Sequence, residues 1–238
     1  MEVAVSELYD KEVNCPVCGT QFKTKKVKTS AVKIIKRDSD FCAYYGGENP
    51  TFYGVYVCPK CGYASFESVY DKISIAQIAQ VKQKVMANWK GKDYGGKRNL
   101  DDAIAVHKLA LLNYNVMSAS KFSLAKACLR LAWFHRQQED SEKEMQFVKH
   151  AAQMYELAYT NEDFEGSGEK EYVVYYLLGE LNRRLGEFRK ASTFYDMAIR
   201  HPEIETQKQI KQMAQDQRMV ASDEYRKQKE AQKKSGEA

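Results

Sequence analysis

The sequence predicts a mainly α protein with a small β module at the N-terminal end. Three observations carry that reading. Two near-identical knuckles, Cys15-Pro16-Val17-Cys18-Gly19 and Cys58-Pro59-Lys60-Cys61-Gly62, bracket a stretch rich in β-branched and aromatic residues. From about residue 73 the apolar residues recur every three or four positions, the period of helices with one buried face. A small–ring–small pattern then repeats along those helices.

With 238 residues the chain has room for one large domain or two smaller ones. Its 44% hydrophobic and 29% charged residues are those of an ordinary globular sequence. The richest apolar run, Tyr172 to Leu178, falls far short of the roughly 18 residues of a membrane span. The segment MEVAVSELYD carries acids where a secretion signal needs positive charge and a long apolar core. The expected compartment is the cytoplasm. There, paired cysteine knuckles read as metal ligands rather than as a disulfide set.

Each knuckle places two thiolates on one ion, and the glycine after the second cysteine allows the positive φ of a tight turn. Cys15, Cys18, Cys58 and Cys61 together make a closed tetrahedral set, the pattern of a structural zinc site. Rubredoxin-type iron uses similar knuckles and is the rival metal. The four thiolates leave no open position for catalysis, so the ion is expected to act as a folding staple. Strands are expected at Val27–Lys36 and Tyr53–Val57, with Gly46-Gly47 and Asn49-Pro50 turning the chain between them. The 39 residues between the knuckles exceed the roughly 15–20 of a minimal four-cysteine ribbon, so an inserted hairpin or loop is expected. Cys42 and Cys128, in apolar surroundings, read as buried thiols.

The net charge of +5 is mild but uneven. Lys23, Lys25, Lys26, Lys28, Lys33, Lys36 and Arg37 fall in a stretch with no acid among them. Such a strip could meet the phosphates of a nucleic acid, or could simply keep a strand face soluble.

Beyond the module, Ile75, Ile78, Ala79, Lys82, Val85, Met86 and Trp89 mark one face of a bridging helix. GKDYGGKRN (91–99) reads as a loop. Further helices are expected at about 100–116, 121–138, 141–161, 169–185, 187–201 and 203–230. Asp140 or Ser141 caps one, EGSG (165–168) separates two, and Pro202 stops another. The last helix has a narrow apolar stripe, as a capping helix should, and the chain is expected to fray from about residue 231. The resulting division is a β module over 1–70, a bridge over 71–99, helical repeats over 100–202, and a capping helix with a tail over 203–238.

Ala103-x3-His107-x2-Ala110, Ala151-x3-Tyr155-x2-Ala158 and Ala191-x3-Tyr195-x2-Ala198 share one spacing, with starts 48 and 40 residues apart. Small residues let helices approach closely, and the ring between them fills the gap. The last unit, with Tyr175, Leu178, Gly179, Gly186, Phe188, Ala191, Tyr195, Ala198 and Pro202, resembles a tetratricopeptide repeat. Asn182 stands where that repeat has an aromatic, and Pro202 comes one residue early. In such arrays the first helix of each pair lines a concave groove. Carried onto this chain, the resemblance places Tyr176, Glu180, Arg183 and Arg184 in the groove, with Trp133 and Arg136 from the middle unit. Arginines beside aromatics suit an acidic or C-terminal carboxylate ligand. The competing reading packs Trp133 in the core and leaves the arginines solvated.

A second resemblance covers the N-terminal third. The two knuckles, Lys36-Arg37-Asp38-x-Asp40-Phe41, Asn49-Pro50-x-x-Tyr53 and the continuation Gly62-Tyr63-Ala64 resemble an uncharacterised bacterial family, domain of unknown function 2225. The resemblance implies a zinc-ribbon-like head on a tetratricopeptide-like body and brings no activity with it. Arg37, Asp38, Asp40, Asn49 and Tyr53 could form a polar site. Alternatively Arg37 pairs with a nearby acid, and Asp40 and Asn49 cap turns. No catalytic motif accompanies them, and the histidines lack ligand spacing. The expected function is therefore an intracellular zinc-binding adaptor for a protein or peptide partner. A nucleic-acid-binding protein using the basic strip is the alternative, and an enzyme using Arg37, Asp40 and Asn49 is the third.

Overall fold

In the computed structural model, which describes residues 6–164 and 168–236, the N-terminal third forms three antiparallel hairpins. Strands β1 (Leu8–Asn14) and β2 (Gln21–Val27) pair from Leu8↔Val27 to Asn14↔Gln21, and the first knuckle is their turn. Strands β5 (Val55–Val57) and β6 (Ala64–Phe66) pair around the second knuckle. Between these two hairpins lies a third, β3 (Ile34–Arg37) with β4 (Ala43–Tyr45). It is the insertion that the spacing of the knuckles predicts.

The expected strand over Val27–Lys36 is in fact two strands. Pairing with β1 ends at Leu8↔Val27, and a 3-10 turn at Thr29–Ala31 redirects the chain into β3. The expected turn at Asn49-Pro50 is present as a 3-10 turn over Pro50–Tyr53, which takes in Tyr53, so the strand expected from Tyr53 begins at Val55. Asn49 caps the turn, its Oδ1 accepting from Thr51 N at 2.9 Å.

Among the described residues seven α-helices follow: α1 (Ile75–Lys84), α2 (Leu100–Val116), α3 (Lys121–Gln137), α4 (Ser141–Asn161), α5 (Glu171–Arg184), α6 (Phe188–Arg200) and α7 (Lys208–Gly236). A reciprocal capping box between Ser74 and Gln77 starts α1. The apolar face expected for this segment needs correction. Ile75 is 88% exposed, Met86 is also exposed, and Val81 and Val85 are the side chains that bury. The helix ends at Lys84 and a 3-10 turn takes over at Met86–Asn88, so the spacing beyond Val85 does not describe one helical face.

The remaining helices lie within a few residues of their expected bounds. Asp140 caps α4 through Lys143 N at 3.1 Å. Gly186, at φ 78°, ends α5 with the positive φ that favours glycine at this position. Pro202–Thr206 forms a 3-10 turn, which delays α7 to Lys208, and α7 continues through Gly236, beyond the residue-231 limit expected for it. Its Lys, Gln, Glu and Ala residues are good helix formers, which accounts for the extra turns. Of the expected EGSG separator, residues 165–167 lie outside the described residues, as do residues 1–5 of the N-terminal segment and the last two of the tail.

Each helix from α2 to α7 packs on the next, and short links make neighbours antiparallel. The small–ring–small residues are the seams of this stack. Ala103, His107, Ala110, Ala151, Tyr155, Ala158, Ala191, Tyr195 and Ala198 are all buried. One core runs through α3–α7 and also takes in Cys42 from the β3–β4 loop. A second joins Val13, Phe22, Val57, Tyr63 and Phe66 of the head to Val106, Ala110 and Tyr114 of α2 and Leu124 of α3. Head and body therefore share apolar cores. Two polar clamps add to the join. Tyr114 Oη accepts from Phe66 N at 2.7 Å. The buried Arg98 donates to Tyr94 O, Phe52 O and Val55 O at 2.8–2.9 Å, tying the loop before α2 to the β5 hairpin.

Gly179 is the tightest point of the α5–α6 seam. A Cβ there would lie 2.6 Å from the Tyr195 ring. Gly179→Ala is therefore expected to destabilise the protein by about 1–3 kcal/mol. A urea titration should show a lower midpoint with an unchanged slope.

Candidate functional site

The two hairpin turns have matching backbones. Gly19 N donates to Cys15 O and Gly62 N to Cys58 O, each at 2.9 Å. Cys15 N donates to Thr20 O and Cys58 N to Tyr63 O, also at 2.9 Å. Gly19 and Gly62 adopt φ 71° and 72°. The turns face each other, and their four sulfurs all lie within 4.8 Å of one another. Cys15 and Cys61 approach to 3.6 Å, as do Cys18 and Cys58. A tetrahedron with metal–sulfur bonds of about 2.3 Å has edges of about 3.8 Å, so the set fits a four-coordinate ion.

The chemistry of the set also asks for a cation. Hydrogen bonds from Cys58 and Cys61 draw Cys15 far below the usual thiol range. Their hydrogen bonds to Cys15 in turn push Cys58 and Cys61 upward. Cys15, Cys58 and Cys61 are buried and Cys18 is partly buried. Trp89 closes one side. Its indole N–H donates to Pro59 O at 2.8 Å, and its ring fills the space a Cβ on Gly62 would need. A metal here would be held by four protein sulfurs and shielded from water, an arrangement that stabilises the fold.

The second feature is the loop between β3 and β4. Asp38 N donates to Cys42 O at 2.8 Å and Phe41 N to Asp38 O at 3.0 Å, closing a tight turn. Phe41 takes φ 68°, an uncommon conformation for an aromatic residue. This loop lies on one face of α3 and α5. Asp40 is fully buried there. Its carboxylate accepts from Arg136 through both terminal nitrogens, from Arg184 at 2.9 Å, from Trp133 Nε1 at 3.2 Å and from Cys42 N at 3.2 Å. Asp38 accepts from Arg136 at 2.8 Å and from Tyr44 Oη at 2.9 Å. Glu144 of α4 completes the cluster, accepting from Arg136 at 2.7 Å and Arg184 at 2.5 Å.

The loop's backbone and neighbours are held in the same way. Tyr176 Oη donates to Ser39 O at 2.6 Å, and its ring packs on Phe41 with centroids 5.0 Å apart. Glu180, also fully buried, accepts from Ser39 Oγ and Tyr195 Oη at 2.7 Å and from Arg183 at 2.8 Å. Arg183 reaches on to Glu224 of α7 at 3.3 Å. Burial opposes charge on Arg136, but Asp40 and Glu144 outweigh it and leave its pKa above the ordinary value. Burial pushes the Cys42 thiol up to about 11.

The six residues expected to line a groove, Trp133, Arg136, Tyr176, Glu180, Arg183 and Arg184, thus do share one face. In this structure the face is covered by residues 38–42 of the same chain. The arginines are not solvated, and Trp133 is both packed and hydrogen-bonded. The suggested Arg37, Asp40 and Asn49 grouping does not assemble. Asp40 lies on the helices, Asn49 caps its turn, and Arg37 is exposed on β3. The basic strip is largely cross-linked: Lys23 to Glu12, Lys25 to Asp10, Lys26 to Glu67 and Lys36 to Asp38. Among the described residues, Lys28, Lys33 and Arg37 form no ion pair.

Fold and site together define a four-cysteine hairpin head fused to a helical body, with the segment between its knuckles seated on the helices. The chain belongs to a family of uncharacterized proteins conserved in bacteria (DUF2225), whose model matches residues 8–221. A relative from Borreliella burgdorferi, itself described as an uncharacterized protein, is 26% identical over a match covering 59% of this chain. That match covers 56% of the relative, so the chain spans little more than half of its length. No solved structure matches the chain. Among the described residues no helix is long and apolar enough to cross a membrane.

Two outcomes follow. Chelation of the metal, or Cys15→Ser, should lower the midpoint of one shared thermal transition by at least about 10 °C. Circular dichroism of the helices checks this, since a separable head would leave the helical signal unchanged. Asp40→Ala removes the fully buried acceptor of Trp133 and of the part-buried Arg136 and Arg184, which keep Glu144, and should cost about 1–3 kcal/mol, read by denaturant unfolding.

Proposed function

We propose that the protein is an intracellular, zinc-stapled adaptor whose tetratricopeptide-like helix pairs recognise an acidic–aromatic peptide of a protein partner. One observation carries the reading: residues Asp38–Cys42 sit on α3 and α5 as a bound peptide would. Arg136, Arg184 and Trp133 read a carboxylate, Tyr176 reads the next aromatic ring and a backbone carbonyl, and Glu180 reads a hydroxyl. The face is closed in cis by its own segment, and a partner competes with that segment for it. Zinc suits the closed shell of four thiolates, and elemental analysis separates it from iron.

The nucleic-acid reading gains no support, because four of its seven cations are engaged by acids of the same chain. An enzymatic reading built on Arg37, Asp40 and Asn49 lacks a shared site.

A labelled peptide spanning residues 36–45, with Ser in place of Cys42, tests the adaptor reading. Asp40→Asn in the full chain weakens the segment in cis, and the peptide should then bind at least about tenfold more tightly than to the parent protein. Adding Arg184→Glu should remove that binding. Absence of binding to the Asp40→Asn protein, with its helical dichroism intact, would sink the proposal.

A further inference from the structure

A second site lies away from this face, on the seam between head and body. A cleft of about 320 Å³ opens between the Pro50–Gly54 turn and Phe66–Ser68 of the head and helices α2 and α3. Its helical wall carries His107, Lys126 and Arg130. Thr51 and Ser68 bring hydroxyl groups to the opposite wall. Glu67, the carboxylate on that wall, is already held by Lys26 Nζ at 2.5 Å.

Two of these side chains have polar groups without partners. Arg130 is partly buried, and no hydrogen bond or ion pair ties it to any described residue. Its guanidinium lies over the face of the Trp133 ring, 4.2 Å from the centroid. A guanidinium carries five N–H donors, and sheltering them unpaired is costly. His107 is fully buried. Its Nδ1 lies 2.8 Å from Ala103 O, and a carbonyl can only accept, so Nδ1 carries the proton. Nε2 is then a bare acceptor, buried and without a partner. Burial holds the His107 pKa down to about 3, so the ring stays neutral under ordinary conditions. Lys126 adds a further cation at the rim, shared with Glu169 at 2.5 Å.

The cleft therefore lacks two things at once: anionic oxygens for Arg130, and an O–H donor for His107 Nε2. We propose that it binds a phosphate-sized oxyanion that still carries one O–H group, as inorganic phosphate does at neutral pH. The oxyanion oxygens accept from Arg130 and Lys126, and the remaining P–O–H donates to His107. The site touches the peptide-binding face at one point, where Arg130 lies over Trp133, but none of its walls belongs to residues 38–42.

The full chain with its metal, titrated with inorganic phosphate and separately with sulfate, supplies the test. Sulfate matches phosphate in size and charge but carries no proton at neutral pH. Saturable binding of phosphate is expected, at least about fivefold tighter than sulfate. The ¹⁵N resonance of His107 Nε2 should shift on adding phosphate in the direction of an accepted hydrogen bond. Arg130→Gln should weaken phosphate at least about tenfold while the helical signal persists. Equal binding of the two anions, or an Nε2 resonance that phosphate leaves unmoved, would mean that water or general salt effects fill the cleft and would overturn the proposal. The resonance is read on the parent protein, so the test stands even if the variant does not fold.

Discussion

The buried carboxylate of Asp40 is the interaction on which the rest of the arrangement depends. Taking a carboxylate and two guanidinium groups out of water costs several kcal/mol for each ion. That cost is offset only by a complete set of partners, and Asp40 has them: Arg136, Arg184, Trp133 and the backbone of its own loop. The partners come from α3 and α5, so one side chain fixes the spacing of two helices and the seat of the loop. It also explains Phe41. A positive φ is unfavourable for an aromatic residue, yet it turns the chain so that Asp40 points into the helices and the Phe41 ring meets Tyr176.

The cysteine cluster acts on the same segment from its ends. The β3–β4 hairpin is strung between the two knuckles, so an ion joining Cys18 to Cys58 closes a loop around it and reduces the freedom of the unfolded chain. Each knuckle is in turn anchored in a core that includes α2 and α3. A metal at the four cysteines would thus join the shared core and Asp40 in restraining one piece of chain from three directions. Moving the head relative to the helices requires giving up apolar burial, the Arg98 clamp and a network of ion pairs together.

Charge in this protein serves mainly as internal cross-linking. Lys25 and Lys23 stand opposite Asp10 and Glu12 across the β1–β2 ladder. Lys26 reaches the next hairpin at Glu67, and Arg183 bridges to Glu224 of the last helix. A strip that looks uniformly basic along the chain is therefore largely neutralised in space. Arg130 stands out against this background, since among the described residues it is a sheltered cation with no hydrogen-bond or ion-pair acceptor.

Local chemistry made much of the molecule legible in advance. The knuckle spacing identified Cys15, Cys18, Cys58 and Cys61, because two residues between cysteines set the geometry of a turn without help from elsewhere. The length between the knuckles called for an inserted hairpin or loop, and the β3–β4 hairpin fills it. Helical periodicity located α2 to α6, and the recurrence of Ala–ring–Ala identified their seams, because close helix approach demands small residues at fixed intervals. Where several apolar residues continued past a helix end, as at Met86 and Trp89, periodicity misled, since it cannot register where the backbone stops being helical. The pairing of Asp40 with Arg136 and Arg184 had no local signal at all. Those arginines lie 96 and 144 positions from Asp40, and nothing in the spacing of either segment names the other. Sequence alone determined which residues could bind a metal and which could form helices, because both depend on neighbours along the chain. Only the tertiary structure decided that the inserted loop covers the helical face, because a buried ion pair is selected by what the fold brings together.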